Sequence, residues 1–228
     1  DISGEDLSEV VSKIRGDEGT TVELTVLRGD DGEEYTATVT RKIVQTDTVY
    51  HEMKEDKIGY IQVTEFDDVT TDQYKKALED LENQGMKGLV VDLRNNPGGN
   101  VDTVTDMLDL MLPEGTTLSI KDKQGKDGEK QEMKCDGDTP IDIPLAVLVN
   151  ENSASASEIF SGAIQTFGTG EVVGTTTYGK GVVQQIFDLK DGTSVKLTIA
   201  EYLIAGQFGI NGKGVTPDVE VQYEQDAQ

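Results

Sequence analysis

Two nearly uninterrupted apolar runs, GLVVDL at 88–93 and PLAVLV at 144–149, limit what this chain can fold into more than any other feature. Short runs of this kind fit strands buried in a largely parallel sheet. Each ends in a turn of small residues and then changes to helical spacing. RNNPGG at 94–99 precedes Val104, Met107, Leu108 and Met111. NENSASAS at 150–157 precedes Ile159, Phe160, Ala163, Ile164 and Phe167, with Gly168 placed to stop the helix. Strand, turn and helix repeated in this way predict an α/β body. Functional groups in such sheets gather at the carboxyl ends of strands, which singles out the two turns.

The remaining pattern fills in the same architecture. Residues 57–63 read as a strand. A helix capped by Thr70 follows, with Tyr74, Ala77, Leu78 and Leu81 on one face and Gly85 closing it. EVVG at 171–174 is a strand, and two more, 183–189 and 194–202, flank the KDG turn at 190–192. A short strand over 216–221 ends the pattern. Residues 116–140 are charged and weakly periodic, and read as a surface excursion, at most a hairpin. Residues 47–56, with His51 and Glu52, read as a linker.

Residues 1–46 form a separate group. Leu7, Val10, Val11 and Ile14 make one helical face ended by Gly16, and strands over 20–27 and 35–40 flank a GDDG turn at 29–32. One helix and one hairpin are too little to fold alone.

Composition excludes several classes of function. Lys and Arg total 20 against 44 Asp and Glu, a net charge of −24. Such a surface repels phosphate backbones, so no nucleic-acid partner is expected, and it does not dock on an anionic membrane through charge. No apolar run is long enough to span a bilayer. With one Cys and one His, Cys135 and His51, neither an internal disulfide nor a zinc site is expected, and no cofactor is implied.

On spacing alone the turns have plain readings. The glycines of 98–99 serve a tight turn, Ser153 or Ser155 caps a helix, and Lys180, bracketed by Gly179 and Gly181, is a solvated loop lysine. A nucleophilic reading needs a base near a serine hydroxyl. His51 lies outside every motif, so a Ser–His–Asp triad is disfavoured. A GxSxG elbow is absent, which also disfavours a hydrolase of small esters or amides.

Three motifs in order, DLRNNPGG at 92–99, NSASASE at 152–158 and YGKGVVQ at 178–184, resemble the catalytic domain of the carboxy-terminal processing proteases. GVTPD at 214–218 is similar to that family's closing segment. The stretch from 1 to 41 resembles the second half of a PDZ domain, whose carboxylate-binding loop would precede Asp1. The resemblance implies an α/β fold: a crotonase-like peptidase core over 47–228 behind a partial PDZ domain over 1–46. It implies a serine endopeptidase acting near protein C-termini, with a protein or peptide bearing an unstructured tail as partner and homo-oligomerisation left open. It implies an extracytoplasmic location, with the full-length parent anchored at a membrane. A non-catalytic tail-binding scaffold of the same fold, or one inactivated by truncation, is the alternative.

Carried over by position, the nucleophile falls on Ser155, the general base on Lys180 and its supporting amide on Gln184. The oxyanion hole falls on the N–H of Ala156 and of Gly98 or Gly99. Ser153 and Ser157 become turn or cap residues, Asp92 and Arg94 anchors of the turn, and Glu158 an acid in the first turn of the helix. Asn152 stands where the family carries a small residue. Lysine serves as a base only when neutral, and lowering its pKa from about 10.4 to between 7 and 8 costs roughly 3–5 kcal/mol of differential solvation. A dry pocket from Tyr178, Val182 and Val183 is the expectation, with Gln184 orienting the amine without adding a charge. If the PDZ half controls the core, Ser155 and Lys180 are expected to stand apart.

Overall fold

The computed structural model describes residues 6–28, 32–43, 46–122, 130–190, 192–205 and 209–222. The chain divides into two compact units, Asp1–Thr46 and Asp47–Gln228.

In the first unit, helix α1 (Leu7–Ile14) precedes strands β1 (Thr21–Arg28) and β2 (Glu33–Thr40), which pair antiparallel from Thr21 opposite Thr40 to Arg28 opposite Glu33. Residues 29–31 of the expected turn lie outside the described residues. Arg41 ties the pieces together: its Nε donates to Ile14 O at 2.7 Å and its Nη1 to Thr21 O at 2.9 Å. The guanidinium thus closes the helix end, where carbonyls lack partners of their own. Leu27, Tyr35 and Val39 remain 71%, 50% and 45% exposed, and Val22, Leu24 and Ala37 are half-buried.

The second unit holds two sheets. Strands β3 (Val49–Met53), β4 (Ile58–Val63), β5 (Gly88–Asp92), β8 (Leu145–Val149), β9 (Glu171–Gly174) and β12 (Val219–Glu220) form a 6-stranded sheet in the order β12-β9-β8-β5-β4-β3. Only β3 runs antiparallel to its neighbour. Residues 49–53 are therefore an edge strand rather than a linker, and His51 sits on it opposite Ile61. Strands β6 (Gly115–Asp122), β7 (Lys130–Cys135), β10 (Val182–Asp188) and β11 (Ser194–Ile204) form a 4-stranded antiparallel sheet in the order β10-β11-β6-β7.

Helices α2 (Thr70–Asn83), α3 (Val101–Asp109) and α4 (Ala156–Phe167) follow β4, β5 and β8. Alternate strand residues Ile61, Val63, Leu89, Val91, Val147, Val149 and Val172 are buried in one core with Tyr74, Leu81, Met107, Leu108, Ile159 and Phe160. The Phe160 ring lies 6.5 Å from those of both Phe66 and Tyr74. The intervening residues Tyr60, Gln62, Val90, Leu148 and Val173 are only half-buried. The apolar runs 88–93 and 144–149 are thus covered fully on one face, not on both as their composition predicts.

Two smaller expectations also change. Thr70 is the first residue of α2 rather than its cap, and its hydroxyl accepts from Asp67 N at 2.9 Å. The excursion at 116–140 is the predicted hairpin, yet Leu118 and Ser119 of its first strand are fully buried, so β6 is core. Cys135, at the end of β7, is buried, and burial with Asp109 alongside pushes its thiol up to about 12. A thiol held protonated in this way is a packing residue. Among the described residues no helix is long and apolar enough to cross a membrane.

Candidate active site

Strands β5 and β8 are parallel neighbours, with Asp92 opposite Leu148, so the turns after them leave the sheet side by side. Hydrogen bonds join the two turns. Ser153 Oγ donates to Leu93 O at 2.8 Å, Ser157 Oγ donates to Asn96 O at 3.0 Å, and Ala154 N donates to the same carbonyl at 3.1 Å. Ser153 and Ser157 are both fully buried. The outer two serines of the cluster are therefore fasteners, as turn or cap roles predict, and the middle one is left for other use.

Ser155 occupies the N-cap of α4 with φ 56° and ψ −113°. Positive φ is rare for a residue with a Cβ, and such a conformation costs of order 1–3 kcal/mol, held only where the surroundings over-determine it. Its surroundings are tight. A Cβ on Gly98, itself at φ +102°, would lie 2.6 Å from Ala154 O, 2.7 Å from Ser155 Cβ and 2.9 Å from Ala156 N. Glycine at 98 is what lets the first turn approach the serine so closely.

The candidate oxyanion donors separate on hydrogen bonding. Gly98 N donates to Asn96 Oδ1 at 2.8 Å and is committed. Among the described residues no hydrogen bond engages the N–H of Gly99 or of Ala156. Ala156 is fully buried in the first turn of α4, where N–H groups lack internal acceptors and the helix end is positive. Asn96, also fully buried, donates from Nδ2 to Val63 O at 2.8 Å. It ties the turn to β4, and although it lies within the 92–99 motif no role for it is read from the sequence. Asn152, the departure from the family pattern, donates to Asn95 Oδ1 at 3.0 Å and so adds another fastener between the turns.

Asp92 and Arg94 anchor the first turn. Arg94 Nη2 lies 2.6 Å from Asp92 Oδ2, its Nε and main-chain N donate to Oδ1 at 2.9 and 3.0 Å, and Tyr60 OH donates to Oδ2 at 2.6 Å. Burial alone would raise the Asp92 carboxyl, but the bonds from Arg94 and Tyr60 outweigh it and hold the group below its ordinary value. Burial, with Asp92 as acceptor, pushes Tyr60 up to about 12. A carboxyl depressed in the folded state stabilises at pH values above its unfolded pKa of about 3.9 and loses that contribution as pH falls through the folded value. Asp92→Asn is therefore expected to lower stability at pH 7 and to show a shallower further loss between pH 4 and 2. Urea unfolding at several pH values checks this, and parallel losses in both chains would exclude Asp92 as the titrating group.

Lys180 and Gln184 are both exposed. Tyr178 is 68% exposed and Val182 and Val183 only half-buried, so the expected dry pocket is not formed by these residues. Among the described residues no hydrogen bond joins Lys180 Nζ to Ser155 Oγ. Gln184 Nε2 turns instead to Thr198 Oγ1 at 3.4 Å on β11, just past an irregularity in pairing at Val183/Gln184. The main chain tells a different story. Lys180 N and Ser155 N both donate to Glu158 Oε2, at 2.8 and 2.9 Å. The two nitrogens are therefore no farther apart than these two bonds laid end to end. The fold thus brings the backbone of Lys180 against that of Ser155 while the Lys180 side chain stays exposed.

The chain is similar to known proteins over nearly its whole length. The carboxy-terminal processing protease CtpA of Bacillus subtilis (strain 168) is 37% identical over 221 residues, 97% of this chain and 47% of that protein. The chain spans about half the length of the curated relatives it matches. Among solved structures, the photosystem II D1 C-terminal processing protease has a TM-score of 0.70 at 31% identity, covering 96% of this chain and 60% of that one. A lipoprotein from Streptococcus agalactiae, at 21% identity and a TM-score of 0.61 over 77% of this chain and 66% of that one, shares the fold. Residues 57–221 match the serine peptidases of family S41, and the chain belongs to that family.

Proposed function

We infer that the full protein is a serine endopeptidase that cleaves polypeptides near their C-termini, with Ser155 as nucleophile and Lys180 as general base. One observation carries the reading: Ser155 is held at positive φ on the mouth of α4, next to an Ala156 N–H that has no acceptor of its own among the described residues. A strained serine beside a partnerless buried donor fits attack and oxyanion stabilisation together.

In this reading Ser155 Oγ attacks a peptide carbonyl and its proton passes to neutral Lys180 Nζ. The carbonyl oxygen, now negative, is received by the N–H groups of Ala156 and Gly99. Collapse of the adduct breaks the C–N bond, and the amine leaves with the proton from Lys180. Water then hydrolyses the ester, Lys180 taking its proton and returning one to Ser155. The exposure of Lys180 assigns the drying of the site to the substrate: an extended peptide laid across the loop removes the water that holds the ammonium charged. Gln184 then orients the amine from the foot of β10. Residues 1–46, a helix and a hairpin, fit the C-terminal half of a PDZ domain, and the two-sheet core fits a crotonase-like peptidase.

The scaffold alternative is favoured by the missing bond between Lys180 Nζ and Ser155 Oγ. An unstructured peptide ending in small apolar residues separates the two. Mass spectrometry is expected to find fragments cut near the peptide's C-terminus, and none with Ser155→Ala. Cleavage that survives Ser155→Ala overturns the nucleophile; binding without cleavage by the intact protein supports the scaffold.

A further inference from the structure

Glu158 is fully buried, and among the described residues no Lys, Arg or His pairs with it. Its carboxylate is saturated by donors instead. Oε1 accepts from Thr177 Oγ1 at 2.6 Å and Gly179 N at 2.7 Å, and Oε2 accepts from Ser155 N at 2.9 Å and Lys180 N at 2.8 Å. Thr177 Oγ1 itself accepts from Val215 N at 2.7 Å, which leaves its own proton for Glu158.

Every partner is thus a donor, which settles what residue the place takes. An amide of the same shape would turn its NH₂ towards N–H groups and leave buried donors unpaired. A carboxylate presents acceptors on both oxygens, which an amide does not. A simple cap of α4 needs just the bond to Ser155 N. The other bonds run to the loop that carries Lys180, which is braced from behind as well: Gly212 N donates to Gly179 O at 2.8 Å, and a Cβ on Gly179 would lie 3.0 Å from the backbone N of Gly214 and of Lys213.

We propose that Glu158 is a positioning residue for peptide cleavage: a buried carboxylate latch that fixes the backbone of Lys180 against that of Ser155, so that nucleophile and base are assembled by one group. The proposal rests on the Ser155/Lys180 reading and extends it to a residue that never touches substrate. It predicts that the 177–180 segment and the start of α4 loosen together when the latch is opened, and that turnover falls with them while peptide affinity changes little.

Glu158→Gln in the full-length protein tests this with two readouts. Amide hydrogen exchange at Ser155, Gly179 and Lys180 is expected to rise by roughly ten- to a hundredfold as charge-assisted bonds are lost. kcat is expected to fall by about 10²-fold, as for a misplaced catalytic group, with KM within a few-fold of the original. Should Glu158→Gln fail to fold, Thr177→Val removes one bond of the set and is expected to give smaller shifts in the same direction, reversed by Thr177→Ser. Unchanged exchange at these amides overturns the latch. Faster exchange with unchanged kcat reduces Glu158 to a structural cap and overturns the positioning role. If the wild-type protein cleaves no peptide, the peptidase reading falls, and the exchange data alone still decide whether the latch exists.

Discussion

Lys180→Ala is expected to lower peptide cleavage by about 10²–10⁴-fold, the range for loss of a positioned general base, with little change in thermal unfolding. The two halves of that expectation have separate causes. Lys180 is exposed, and among the described residues its amine makes no hydrogen bond or ion pair, so its removal costs the fold within about 0.5 kcal/mol. Its backbone N–H, which holds the loop to Glu158, is untouched by the substitution. Lys180→Arg sharpens the test. The charge and most of the stem are retained, but a guanidinium does not give up its proton at any working pH, so this variant is expected to be as inactive as the alanine form. Activity retained by the arginine form would mean that Lys180 acts through its charge and not as a base.

Gly98→Ala is expected to do the opposite, damaging fold and function together. The residue sits at φ +102°, and its Cβ would lie under 3.0 Å from two main-chain atoms, Ala154 O and Ala156 N, and from Ser155 Cβ. Main chain cannot turn aside as a side-chain tip can. Strain of about 1–3 kcal/mol and overpacking of about 1–3 kcal/mol together give a loss readily seen in denaturant unfolding. Relief by shifting the Leu93–Gly99 turn would move the Gly99 N–H relative to Ser155 and Ala156. A displacement of about an ångström at such a site costs roughly 10²-fold in rate. Cleavage near the wild-type rate by a folded Gly98→Ala protein would remove the close approach of the two turns from the account of the site.

How far the sequence led depends on which interactions are local. Periodicity located α2 and α3 because each buries one stripe, and α4, buried on every face from Ala156 to Ile164, because its large apolar residues still fall at helical spacing; it located β5, β8 and β9 because their inward residues are apolar. It missed β3: Tyr50, His51 and Glu52 are exposed on an edge strand, where only Val49 and Met53 turn towards the core. The roles of Ser153 and Ser157 were legible in kind, since small hydroxylated residues at a helix start fasten turns. Their partners, Leu93 O and Asn96 O, were not, because they lie across the β5–β8 junction. Glu158 was legible as an acid in the first turn of a helix, but not its bond to Ser155 N. The bonds to Thr177, Gly179 and Lys180 depend on where a distant loop returns. The dry surroundings expected of Lys180 were inferred from residues close in sequence. Exposure is decided by packing, and that loop faces outward.

The alternation of serine and alanine at 153–157 carries a last consequence. Two of its hydroxyl protons point into carbonyl oxygens inside the protein, so neither oxygen is open to an electrophile without first breaking a tether. A phosphonate or sulfonyl reagent meeting the folded chain should therefore leave a single adduct mass from this cluster, on the peptide containing Ser155. Only unfolding would make the three hydroxyls chemically alike.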